Sequence, residues 1–132
     1  RVLFRSKPPD PPKPPTPVGP LRVLIVYETS DLPAMKRDQR KTQADMLFDA
    51  QFKQELTAIC DKEGPNGRGW NIWDKDIAGL EEVDKFWREA MARPRSKVPS
   101  IHIFAGDTPA LDADLPLTKD ATIALIKKYI GK

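Results

Sequence analysis

The sequence predicts an α/β domain, a mixed sheet flanked by helices, carried on a proline-rich N-terminal extension. Three observations predict it. Apolar β-branched runs alternate with segments whose apolar residues recur at helical spacing, giving the order β-α-β-α-β-(β)-α from Leu21 onward. Eight of the fourteen prolines lie before residue 21, which divides the chain into an extension, 1–20, and a domain, 21–132, sized for one hydrophobic core. A further proline, Pro99, stands at the entry to the third strand, where a missing N–H removes little from a sheet ladder.

The extension opens with RVLFRS, a short strand-like alternation that reads as the tail of another domain or as a strand pairing with a neighbouring chain. KPPDPPKPPTPVGP follows. Prolines at this density favour polyproline II at ~3.1 Å per residue, so the tract reads as a semi-rigid stalk on the order of 40 Å long, with P-x-x-P matches as a groove ligand the alternative. LRVLIVYE then reads as a strand covered on both faces. Over 43–62, Phe48, Phe52, Leu56, Ile59 and Cys60 fall at helical spacing, predicting one long amphipathic helix that ends before Gly64 and Pro65. GPNGRG reads as a turn and GWNIWDKD as the second strand. Leu80, Val83, Trp87, Ala90 and Met91 line one face of a helix expected over 80–92, stopped by Pro94. PSIHIF is the third strand, ALDADLPL a turn with a short edge strand, and 119–130 a closing helix with Ile123, Ile126, Tyr129 and Ile130 inward and Gly131 as C-cap.

Composition excludes several chemistries. With Cys60 the single cysteine, the chain builds no internal disulfide, Cys-x-x-Cys pair or thiolate metal cluster, and His102 is equally alone. Both read as buried core residues, as do Trp70, Trp73 and Trp87. Asp74 and Asp76, like Asp112 and Asp114, suggest calcium but lack the spacing of a calcium loop. No metal and no cofactor is expected. No apolar run approaches the ~20 residues that span a bilayer, and a start at Arg1 reads as a processed chain or a fragment. Charge is uneven. Lys36, Arg37, Arg40 and Lys41 against Asp38 give a local +3, and Arg93, Arg95 and Lys97 give another, within a chain of net charge +3. These seven cations are the candidate anion- or partner-binding residues.

The element order, together with Val98-Pro99-Ser100 before IHIFAGD and with LTKDATIALIKKYIG at the end, resembles the thioredoxin-like fold across 21–132. The resemblance implies a three-layer sandwich, a cis bond before Pro99, and an active-site turn directly after the first strand, beside which the basic segments 36–41 and 93–97 would meet. At that turn this chain reads Thr29-Ser30-Asp31-Leu32-Pro33, without a thiol. Dithiol exchange needs one thiolate to attack and a second thiol to resolve, so the domain is expected to be redox-inert and not an enzyme. The expected function is a redox-inactive interaction or structural module, held by its stalk in a larger extracellular, periplasmic or particle-associated assembly, with a protein partner or neighbouring subunit. Two alternatives stand beside it. One is an anion- or nucleic-acid-binding domain using 36–41 and 93–97. The other is an enzyme using Glu28, Ser30 and Asp31.

Overall fold

A computed structural model describes residues 20–62, 64 and 68–130; the segment 1–6, the tract 7–19, the centre of the GPNGRG turn and the Gly131 cap lie outside the described residues. Four strands form one mixed sheet: β1 (Leu21–Tyr27), β2 (Trp70–Asp74), β3 (Ser100–Ala105) and β4 (Thr108–Asp114), in the order β2-β1-β3-β4. β1 runs parallel to β2 and antiparallel to β3, and β3 is antiparallel to β4. The helices are α1 (Leu32–Arg37), α2 (Lys41–Met46), α3 (Ala50–Ile59), α4 (Lys85–Met91) and α5 (Lys119–Lys127).

Side chains alternate across a strand, so β1 and β3 each feed two cores. Val23, Ile25, Ile101 and Ile103 pack with Phe52 and Leu56 of α3 and Ile126 of α5. Leu24, Val26 and Phe104 point the other way, against Trp87, Ala90 and Met91 of α4. This is why LRVLIVYE and SIHIF read as unbroken apolar runs: both strands are covered on two faces, and β3 is buried along its whole length.

Three of the helices expected from spacing are corrected, two of them by capping residues. The helix expected over 43–62 is two helices, because Asp49 is extended and its carboxylate accepts from the Phe52 N–H (2.9 Å), which starts α3 at Ala50. Phe48 therefore lies outside the helical stripe. It is 52% exposed, edge-on to Tyr27 at 5.8 Å. The helix expected over 80–92 begins at Lys85, where Asp84 accepts from the Phe86 N–H (2.8 Å); Leu80–Glu82 form a separate 3-10 turn. The last helix ends at Lys127 and not at 130, leaving Ile130 38% exposed. The expected short edge strand within 110–117 is a seven-residue strand that starts earlier, at Thr108. The bond between Val98 and Pro99 is cis, as the resemblance implied.

Gly106, at φ 61°, and Asp107 make the two-residue turn between β3 and β4, with the Gly106 N–H donating to the Pro20 carbonyl at 2.7 Å. Gly69 serves a different need. A Cβ there would stand 2.5 Å from the backbone N and O of Asp61, while the Gly69 carbonyl accepts from Val23 N–H. Gly69→Ala is expected to destabilise the fold by about 1–3 kcal/mol, as overpacking against backbone does. A denaturant titration reads this directly, and an unchanged midpoint would show that the two segments separate freely.

Candidate functional site

Two places in the fold gather chemistry-bearing side chains. The first is the loop after β1, where the resemblance places a redox pair. The Thr29 hydroxyl and N–H both donate to Asp74 (2.6 and 2.7 Å), and Glu28 accepts from the Ser30 N–H (3.2 Å). Glu28, Asp74 and Asp76 converge, with one ligand atom from each lying within 4.8 Å of the others. The Lys75 ammonium already bridges Glu28 at 3.1 Å and Asp76 at 3.3 Å, so the group is an ion-paired network. Lys75 holds the Glu28 carboxyl below its usual range, and the Thr29 hydroxyl does the same for Asp74. The Thr29 hydroxyl and the Asp74 carboxylate that accepts from it both belong to this network.

Cys60 is remote from this loop. The Asp61 N–H beside it donates to the Leu21 carbonyl, which places the sulfur near the start of β1, roughly 20 Å, one seven-residue strand, from Thr29. It is buried as expected, and burial pushes its thiol up to about 12. At neutral pH this sulfur is a thiol and not a thiolate.

The second place is one that spacing missed. His102, fully buried on the α4 face of β3, is opposite Asp112 of β4 in the strand register, and its Nδ1 lies 2.6 Å from the Asp112 carboxylate. Its Nε2 lies 3.0 Å from the Ser100 hydroxyl and 3.3 Å from Arg95 Nε, which donates to it. Arg95 also donates to the Met91 carbonyl (2.8 Å) at the end of α4, and Arg93 donates through two nitrogens to Asp112. Hydrogen bonding to Arg93 brings the Asp112 carboxyl down to about 2, whereas burial pulls His102 below its ordinary value despite the attraction of Asp112. Asp112, which the sequence offers only as an acidic residue without the spacing of a calcium loop, joins His102 to Arg93 in this cluster.

The connectivity Ser100–His102–Asp112 has the order of an acyl-transfer triad, but its geometry does not present a nucleophile. Ser100 is 2% exposed, Arg95 shares the imidazole nitrogen that would act as base, and the adjoining cavity holds about 100 Å³. A larger cavity, about 720 Å³, lies between α4 and the β3–β4 hairpin, floored by Phe86 and Phe104 and edged by Arg22, whose guanidinium sits 4.8 Å over the Phe86 ring.

The seven candidate cations divide unevenly. Arg40 pairs with Asp38, Lys41 with Asp45, Arg93 with Asp112 and Lys97 with Asp114, while Arg95 is turned inward to His102. Lys36 and Arg37, in the last turn of α1, form no ion pair among the described residues. Segment 36–41 closes α1 and opens α2 with the turn 38–40 between them, and no hydrogen bond or ion pair links it to 93–97 among the described residues. No helix of the structure is long and apolar enough to cross a membrane. The fold and its polar clusters thus define an α/β domain with a four-stranded mixed sheet covered on both faces. No protein-family model matches the chain, and no curated protein or solved structure matches it.

Proposed function

We propose that this chain is a redox-inactive thioredoxin-like module that acts through contacts, as an interaction or structural subunit tethered by its proline-rich N-terminal segment. The observation that carries the reading is the loop after β1. Where thiol exchange would need two sulfurs, Thr29 and Glu28 are engaged in a hydrogen-bonded and ion-paired network, and the single sulfur is a buried thiol at the far end of the strand. The β2-β1-β3-β4 order and the proline that opens β3 support the fold assignment. Beside the loop, Tyr27 and the half-exposed Phe48 offer an aromatic contact surface, and Leu117, 50% exposed, adds a second apolar point. Neutralisation of most of the candidate cations by neighbouring carboxylates weighs against an anion site as the main surface.

The test is catalytic. Insulin-disulfide reduction by dithiothreitol is expected to run no faster with the protein than without it, and Cys60→Ala is expected to change nothing. Accelerated reduction that disappears in Cys60→Ala would overturn the reading. A partner held through the Tyr27 and Phe48 surface stays bound at high salt, whereas binding that weakens steeply with salt would assign recognition to Lys36, Arg37 and their neighbours.

A further inference from the structure

The geometry points to His102 as a proton-operated latch: with a neutral imidazole it holds Arg95 and the segment joining α4 to β3 against the sheet, and on gaining a proton at Nε2 it expels the Arg95 guanidinium.

The tautomer follows from the partners. The Asp112 carboxylate accepts only, so the proton of a neutral imidazole sits on Nδ1, 2.6 Å away. Nε2 is then an acceptor, which suits both the Ser100 hydroxyl at 3.0 Å and the Arg95 Nε–H at 3.3 Å. A second proton changes this. Nε2 becomes a donor, the Ser100 hydroxyl rotates to accept from it, and Arg95, which has donors only, is left facing an N–H and a second positive charge. No rotation of a guanidinium turns it into an acceptor. Its remaining bond, to the Met91 carbonyl, holds one nitrogen at the end of α4 and leaves the rest of the fork facing the new charge.

The surroundings set the direction in pH. From β4, Asp112 favours the imidazolium, but it is shared with Arg93. From the segment after α4, Arg93 and Arg95 oppose it. Asp114 is paired with Lys97 at 3.5 Å, and the neighbour of His102 in β1 is the apolar Leu24. His102 itself has no exposed surface, so the charged form gains no hydration. Burial is the leading influence and lowers proton affinity from the ordinary value of 6.5, so the latch is closed at neutral pH and opens as pH falls below that value. Expulsion sends Arg95 toward solvent beside Ser96 and Lys97, which line the small cavity next to Ser100. The protein then presents a more basic segment in acid than at neutral pH.

Because His102 is the sole histidine, its imidazole NMR resonances are unambiguous. They are to be followed in the full chain between about pH 8 and about pH 5, alongside amide exchange of residues 94–98 corrected for the intrinsic pH effect. The expected result is a His102 midpoint below 6.5, with exchange of 94–98 rising roughly tenfold over the same range while the far-UV circular dichroism stays constant. His102→Gln, which takes no proton, is expected to show a flat profile. Arg95→Gln, which removes the opposing charge, is expected to raise the His102 midpoint, and this variant carries the test should His102→Gln not fold. The proposal is overturned if His102 titrates at or above 6.5, does not titrate before the protein unfolds, keeps its midpoint in Arg95→Gln, or if exchange rises equally in His102→Gln.

Discussion

Trp87→Ala is expected to lose about 3–5 kcal/mol of stability, enough to lower the thermal midpoint by on the order of 10–20 °C. Trp87 is the largest fully buried side chain among the described residues, at 0% exposure. It holds together the smaller of the two cores, where Leu24, Val26, Ala90, Met91 and Phe104 surround it. Its ring stands edge-on to Phe86 at 4.8 Å and to Trp73 at 6.0 Å, geometries that add to the area buried. Removing the indole leaves a cavity between α4 and the sheet that a helix of seven residues closes only in part. Thermal unfolding followed by circular dichroism measures the loss. A shift of only a few degrees would show that α4 collapses onto the sheet without it.

Asp112→Ala is expected to lose about 2–3 kcal/mol, chiefly because the buried Nδ1–H of His102 is left without an acceptor. The lost pair with Arg93 adds less, since both side chains are about a third exposed and solvent screens them. The pH dependence follows from the same cluster. The folded carboxyl of Asp112 lies at about 2, below its ordinary 3.8, so it contributes stability that is present above 3.8 and lost as pH falls toward 2. His102 is also lowered, from 6.5, so its contribution is present above 6.5 and lost as pH falls through its folded value. Wild-type stability should therefore decline in two stages on acidification. In Asp112→Ala the lower stage should shrink by about 1–2 kcal/mol after allowance for screening, and what is left of it comes from carboxyls such as Glu28 and Asp74 that are also held below their ordinary values. Chemical denaturation at stepped pH tests this, and equal acid losses in both proteins would remove Asp112 from the account.

Strand positions were legible in the sequence where burial on two faces leaves unbroken apolar runs, as at Leu24-Ile25-Val26 and Ile101-His102-Ile103. Helix faces were legible too, since Phe52, Leu56, Trp87, Ala90 and Ile126 are all buried as their spacing required. Helix ends were less so. Asp49 and Asp84 sit inside periodic apolar stripes, and only the backbone conformation shows that each caps a new helix and does not continue the old one. The candidate site was the least legible. Seven cations were named from charge density, yet whether a cation is free depends on which carboxylate lies across the sheet, as Arg93 and Asp112 show.

What the sequence determined by itself is what composition and local periodicity can carry: the α/β class, one cysteine on an apolar stripe, and the absence of thiols after β1. The His102 cluster was decided by tertiary structure through a single irregularity. Ala105 pairs with Thr108 and Phe104 with Pro109 across the tight turn, a register that, continued, would set His102 opposite Leu111. A bulge between Ile103 and Phe104 admits one extra residue in β4, next to Pro109, whose missing N–H suits an edge strand. Because side chains alternate along a strand, that one-residue slip puts Asp112 in place of Leu111 beside the imidazole. A buried histidine without it would be a neutral core residue; with it, the ring gains a carboxylate on one nitrogen and an arginine on the other.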